Sequence, residues 1–170
     1  MDGSLLSLDL AGNIGWALFR PPTVPSVPPL FGEHKWRGQG ATNICGWFGD
    51  WLNDFHAVER FDAMAWEEPW LRPGDKPETI KILFGLVGVC LAFVGSARHP
   101  MAYRTVTPKE VKKRMTGNSY ADKPAVVGAC WKLGWKVGSS DAADACGVGL
   151  VAYRQIWPRS LSTIAEKHAA

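Results

Sequence analysis

Apolar and polar positions along this chain fall into blocks whose period changes. Leu5 to Leu10 is an apolar run broken by polar residues, a Gly-Asn turn follows, and Ile14 to Phe19 is a second run. Two such runs around turn residues predict a hairpin, with a turn longer than the two-residue type. Five prolines within residues 21–29 predict an extended loop. Phe31 to Arg37 predicts a third strand. From Thr42 to about Val58 the apolar residues Ile44, Phe48, Trp51, Leu52 and Phe55 recur on one helical face. Asp62 to Glu67 is a short strand ended by Pro69, and residues 68–76 are a loop.

A long helix is expected from Glu78 to Ala97, stopped before Pro100, and Met101 to Val106 reads as a strand. Thr107 is a natural N-cap with Pro108 in the first helical position. Gly117-Asn118-Ser119 is a turn. Asp122 caps a helix from Lys123 to about Trp135, and Ser139 and Ser140 precede a helix from Asp141 to Tyr153. Ser160 to His168 reads as a last short helix. Strands interleaved with helices in this order predict an α/β fold, a five-stranded sheet with helices on both faces. A length of 170 residues, 46% apolar and 21% charged, fits one domain over 1–170 with a core of its own.

Composition adds three constraints. The four cysteines, Cys45, Cys90, Cys130 and Cys146, lie far apart and form no C-x-x-C pair, which argues against zinc. With no secretory leader visible, reduced thiols in a cytoplasm are expected, bacterial or that of a phage-infected host. The longest apolar run, Ile82 to Gly95, reads as too short for a bilayer and as a buried helix, so no membrane partner is expected. The nine tryptophans divide by place. Trp47, Trp51, Trp131 and Trp135 fall in predicted helices as packing residues. Trp16 and Trp66 flank the strand-end motifs, and Trp70 lies on a loop.

The net charge of +3 conceals a gradient. Residues 1–68 hold four Lys or Arg against nine Asp or Glu, whereas residues 98–136 hold nine against two. Such a basic stretch suits a polyanion, though a solvated basic helix face explains it as well. Among the acidic residues, Asp9 closes the first strand and Glu67 the fourth. Asp141 and Asp144 are three apart at a helix start and share a face. Each has an ordinary explanation, a turn residue or a favourable charge near the helix dipole. Together they can hold a pair of Mg²⁺ ions, for which carboxylate and water oxygens are the natural ligands. Two such ions activate water and stabilise a leaving oxygen on phosphorus.

These segments resemble the RuvC family of Holliday-junction resolvases over roughly Leu5 to Tyr153. Ser7-Leu8-Asp9-Leu10-Ala11-Gly12-Asn13-Ile14-Gly15-Trp16 is similar to the family's first strand and following Gly-aromatic strand. Ala65-Trp66-Glu67-Glu68-Pro69-Trp70 is similar to its second motif. Thr107-Pro108-Lys109-Glu110-Val111-Lys112, through Thr116-Gly117 to Ala121-Asp122-Lys123, is similar to its basic segment. Ser140-Asp141-Ala142-Ala143-Asp144-Ala145 is similar to its last motif.

The resemblance implies an RNase H-like fold with a mixed sheet. It implies a homodimer and Mg²⁺- or Mn²⁺-dependent cleavage of four-way DNA junctions, leaving 5′-phosphate and 3′-hydroxyl ends. Asp9, Glu67, Asp141 and Asp144 match the carboxylates that hold two ions per active site. Lys112 and Lys123 match lysines at the scissile strand, with Lys109, Lys113 and Arg114 beside them in the DNA-binding segment. Trp70 matches an aromatic that reaches the junction centre. Leu10 replaces the family's usual proline, Pro69 follows the Glu-Glu pair, and the Pro-rich stretch has no counterpart. These departures suit a phage or viral member and give no ground for partnership with a bacterial branch-migration motor. Other readings are a nuclease for flaps, forks and three-way junctions, an RNase H-like enzyme for RNA–DNA hybrids, and an inactive junction binder. Part of the Glu78–Ala97 helix is expected at the dimer interface, with simple burial as the competing account.

Overall fold

A computed structural model describes residues 3–21, 27–36, 39–96 and 101–158. The chain runs β1 (Leu5–Asp9), β2 (Asn13–Phe19), β3 (Leu30–Lys35), α1 (Ala41–Glu59), β4 (Ala63–Glu67), α2 (Pro77–Val94), β5 (Ala102–Val106), α3 (Pro108–Thr116), α4 (Lys123–Lys132) and α5 (Ser140–Ile156). The five strands form one sheet in the order β3-β2-β1-β4-β5. β1 pairs antiparallel with β2, and β2 with β3, while β1–β4 and β4–β5 are parallel. The mixed five-stranded sheet expected from the sequence is thus present.

Side-chain alternation splits the interior into two layers. Leu6, Leu8, Met64 and Trp66 face one way, into a core with Ile44, Phe48 and Leu52 of α1 and Leu86, Cys90 and Phe93 of α2. Leu5, Ala63 and Ala65 face the other way, onto Ala142, Ala145, Cys146 and Val148 of α5. Ser7 shares that second face and is fully buried, and its hydroxyl lies 2.8 Å from the Ala145 carbonyl and 3.1 Å from that of Ala17. A buried hydroxyl needs such partners, and this one ties α5 to the two central strands.

Small residues let α5 come close to the sheet. A side chain at Gly15 would collide with the Asp141 carbonyl, and one at Gly149 with the Phe19 ring. The helix starts follow the capping residues. Thr107 and Glu110 form a reciprocal capping box on α3, Asp122 accepts the Ala125 amide at 2.9 Å, and Ser139 accepts that of Ala142 at 3.2 Å.

Several expectations need correction. α4 ends at Lys132, not Trp135, because Gly134 takes a left-handed backbone (φ +84°) that breaks the helix. Trp135 is nonetheless buried, edge-on to Phe19 at 5.9 Å. Trp47 and Trp131 are not core packing: they are 46% and 52% exposed, and the Trp131 indole donates to the Val137 carbonyl. The apolar run Ile82–Gly95 lies mostly in the 18-residue α2, which by length and composition alone could cross a membrane. In the fold its Leu86, Cys90, Phe93 and Val94 are buried. Arg37, Ala97, the centre of the Pro-rich loop and the expected helix from Ser160 to His168 lie outside the described residues.

Candidate active site

β1 and β4 run side by side in the same direction, with Leu8 opposite Trp66. One residue further along each strand, the pairing brings Asp9 and Glu67 to the same sheet end. On β1's other side Asp9 pairs with Gly15, and it is over Gly15 that the Asp141 backbone passes. The absent side chain on β2 therefore sets the first turn of α5 against the strand ends, and Asp141 and Asp144 arrive on the side of Asp9.

The electrostatics of the four carboxylates confirm that they share one field. Burial raises the pKa of Asp9 well above the carboxylate range, and Glu67, Asp144 and Asp141 push it further up, in that order, against Lys123. Glu67 is pushed up to about 7 by burial and then by Asp144, while Lys112 and Lys123 oppose the shift. Asp144 is raised, chiefly by burial, with Lys123 as the main counterweight. Like charges this close favour proton uptake or a cation.

Lys123, the first residue of α4, is the cation already in place. Its Nζ lies 3.3 Å from Asp141 Oδ1 and 4.0 Å from Asp144 Oδ2, with Ser140 Oγ at 3.4 Å. Burial lowers its pKa, but Asp141, Asp144 and Asp9 outweigh that and leave it raised. Lys112, on α3, opposes the upward shifts of Glu67 and Asp144.

Of the ten residues singled out in the sequence, six converge: Asp9, Glu67, Asp141, Asp144, Lys112 and Lys123. Trp70 is 73% exposed on the loop after β4. Lys109 and Lys113 are exposed on α3. Arg114 differs from them in its field: partial burial and then the charge of Arg154 lower its pKa. Arg154 lies ten residues beyond Asp144, about 15 Å along the helix. Glu68, the second member of the Glu-Glu pair, is exposed, its amide donating to the Val106 carbonyl at 2.8 Å. Ser7, Gly15 and Ser140 were missed as positioning residues, although the Gly15 position between an apolar strand residue and Trp16 was the available signal.

The donor set fits a hard divalent ion. All four side chains offer oxygen, they come from three elements, and burial together with their neighbouring carboxylates raises the pKa of Asp9, Glu67 and Asp144. Yet among the described residues no three Asp, Glu, His or Cys side chains are drawn together tightly enough to ligate an ion as they stand.

No protein-family model matches the sequence, and no curated protein matches it. The fold does have solved relatives. RuvC of Thermus thermophilus, determined in complex with a Holliday junction substrate, superimposes with a TM-score of 0.72 at 18% identity, covering 92% of this chain and 95% of that one. The yeast mitochondrial Holliday junction resolvase Ydc2 gives 0.56 at 15% identity over 94% of this chain and 80% of its own. The fowlpox virus resolvase, determined with Holliday junction DNA, gives 0.54 at 13% identity over 89% and 99%. The chain has the RuvC-type, RNase H-like fold expected from its sequence.

Proposed function

We propose that this protein is a divalent-metal-dependent endonuclease that resolves four-way DNA junctions by paired phosphodiester hydrolysis. The observation that carries the reading is the meeting of Asp9, Glu67, Asp141 and Asp144 at one sheet end, with Lys112 and Lys123 acting on the same carboxylates. The solved proteins that share the fold are junction resolvases by their own descriptions, which supports the substrate.

Asp9, Glu67, Asp141 and Asp144 would hold two Mg²⁺ or Mn²⁺ ions. The bound ions supply a polarised water and neutralise charge on the phosphoryl oxygens. The chain's own residues do the rest. Lys112 and Lys123 engage non-bridging phosphate oxygens and offset the charge that builds up in the transition state. For Lys123 this means exchanging Asp141 for phosphate, and its 61% exposed side chain leaves room for the exchange. Water oxygen bonds to phosphorus, the bond to the 3′ oxygen breaks, and the products are a 5′-phosphate and a 3′-hydroxyl. Exposed Trp70 offers an indole face on which a base at the junction centre stacks.

One site cuts one strand, so resolution calls for two copies. α2 offers the surface for that, with Phe84 52% and Leu91 44% exposed one above the other on the helix. The source is proposed to be a phage or other virus and the working compartment the cytoplasm of its host.

The deciding experiment is cleavage of a mobile four-way junction with cuts mapped on all four strands, beside a Y-fork, a linear duplex and an RNA–DNA hybrid. Symmetric cuts that need Mg²⁺ or Mn²⁺ and vanish in Asp9→Asn and Asp144→Asn are expected. Cleavage that survives Asp9→Asn at full rate, or that needs no divalent ion, overturns the proposal. Equal rates on forks and four-way junctions would replace it with a general debranching nuclease.

A further inference from the structure

Tyr120 is the most exposed large aromatic side chain among the described residues, at 80%. A lone exposed tyrosine carries little meaning. This one is carried by a hydrogen-bonded stretch of backbone. It lies on the turn between α3 and α4, and every step of that turn is fixed. Gly117 adopts a left-handed backbone (φ +79°), and its amide donates to the Lys113 carbonyl at 2.9 Å. The Asn118 amide donates to Thr116 Oγ1 at 3.1 Å, and the Tyr120 amide to Asn118 Oδ1 at 3.0 Å. Asp122 then caps α4.

Three residues beyond Tyr120 is Lys123, whose ammonium reaches Asp141. Three residues span at most about 11 Å of chain. The backbone of Tyr120 is therefore within about 11 Å of that of the lysine that reaches the carboxylate cluster. Lys109 Nζ lies 5.8 Å from the ring centroid, over one face. The other face is left to solvent. An exposed π-surface flanked by a lysine has the two parts by which proteins hold a single nucleotide, stacking for the base and charge for its backbone.

We infer that Tyr120 is a substrate-stacking residue: it receives an unpaired base of the cleaved strand next to the scissile phosphate, while Lys109 takes the adjoining phosphate. This rests on the branched-DNA nuclease reading above and adds to it a contact on the α3–α4 turn, apart from the Trp70 loop. Stacking on a tyrosine needs the ring and not the hydroxyl, and it carries no charge, so it predicts a distinctive pattern among variants.

The test uses four-way junctions carrying 2-aminopurine one, two or three nucleotides from the mapped cut, bound in EDTA so that the strand stays intact. The wild type is expected to change the fluorescence at one of these positions. Tyr120→Ala should lose that change and bind roughly five- to a hundredfold more weakly, with the salt dependence of binding unaltered. Tyr120→Phe and Tyr120→Trp should keep both signal and affinity. Lys109→Ala should instead lower the salt slope by about one unit. If the wild type cuts the junction while Tyr120→Ala leaves affinity and fluorescence unchanged, the stacking role is overturned and the nuclease reading stands. Loss of affinity in Tyr120→Phe as severe as in Tyr120→Ala also overturns stacking, in favour of a hydroxyl contact. A wild type that neither binds nor cuts branched DNA overturns both.

Discussion

At the residue scale the central fact is that Glu67 holds its proton up to about 7. In the unfolded chain the same carboxyl releases it near 4.5. Between those values the folded protein binds more protons than the unfolded one, so stability falls as pH rises through the window. The contribution is most favourable below about 4.5 and is lost by about pH 7. Glu67→Gln removes this dependence. In EDTA the variant should match the wild type near pH 4 and exceed its stability by of order 1–3 kcal/mol at pH 8, read by urea denaturation at each pH. A gap that stays flat across the window would mean that neither burial nor Asp144 raises Glu67 in the folded protein. Saturating Mg²⁺ should narrow or reverse the gap, because an ion bound only by the folded wild type stabilises it. The site is thus built at a cost to the ion-free protein, which is the pattern expected of residues placed for chemistry.

At the element scale the site depends on how closely α5 lies on the sheet, and Gly15 decides that. A β-carbon there would strike the Asp141 backbone, which has no flexible end to move aside. Gly15→Ala should therefore shift the first turn of α5, destabilise the protein by about 1–3 kcal/mol and lower the cutting rate. Gly12→Ala, where an added methyl meets nothing within 4 Å, is the control and should leave stability almost unaltered. Equal denaturation midpoints for the two variants would show that α5 does not dock on Gly15. The strands and helix starts were readable from sequence because their causes are local. Short apolar runs closed by turn residues or proline mark β1 and β4, and Thr107, Asp122 and Ser139 mark helix starts that the structure keeps. The neighbouring of Asp9 and Glu67 was readable only conditionally, since the parallel pairing of β1 with β4 joins residues more than fifty positions apart. The buried Ser7 looked like one more polar residue in a strand. The expected helix end at Trp135 overran Gly134, whose left-handed backbone stops α4 earlier. Arg114 reads as one more cation of the basic run, and only the docking of α3 on α5 brings the charge of Arg154 to bear on it.

At the scale of the whole molecule, the sheet divides the protein into two layers with different tasks. α3, α4 and α5 sit with one face and bring the basic segment to the carboxylates. α1 and α2 cover the other face, yet α2 is only half satisfied by that. Its buried side is spoken for by Leu86, Cys90, Phe93 and Val94, and Gly85 is required by the Cys45 sulfur, 2.5 Å from where a β-carbon would sit. Gly88 has no such reason, since a β-carbon there would meet nothing within 4 Å. It lies between Phe84 and Leu91 on the exposed side, one turn from each. Two large apolar side chains around a bare glycine leave a notch into which a second helix could seat a side chain, and burying both would stabilise association by about 1–3 kcal/mol each. The dimer proposed for paired cutting therefore has a definite expectation. The wild type should sediment as a dimer at micromolar concentration, and Leu91→Glu as a folded monomer. Because the carboxylates lie at the strand ends and not on α2, the monomer should still bind Mg²⁺ and nick one strand slowly, while symmetric second cuts disappear. A wild type that sediments as a monomer removes the dimer, and Leu91→Glu dimers that cut in pairs would move the interface off this face of α2.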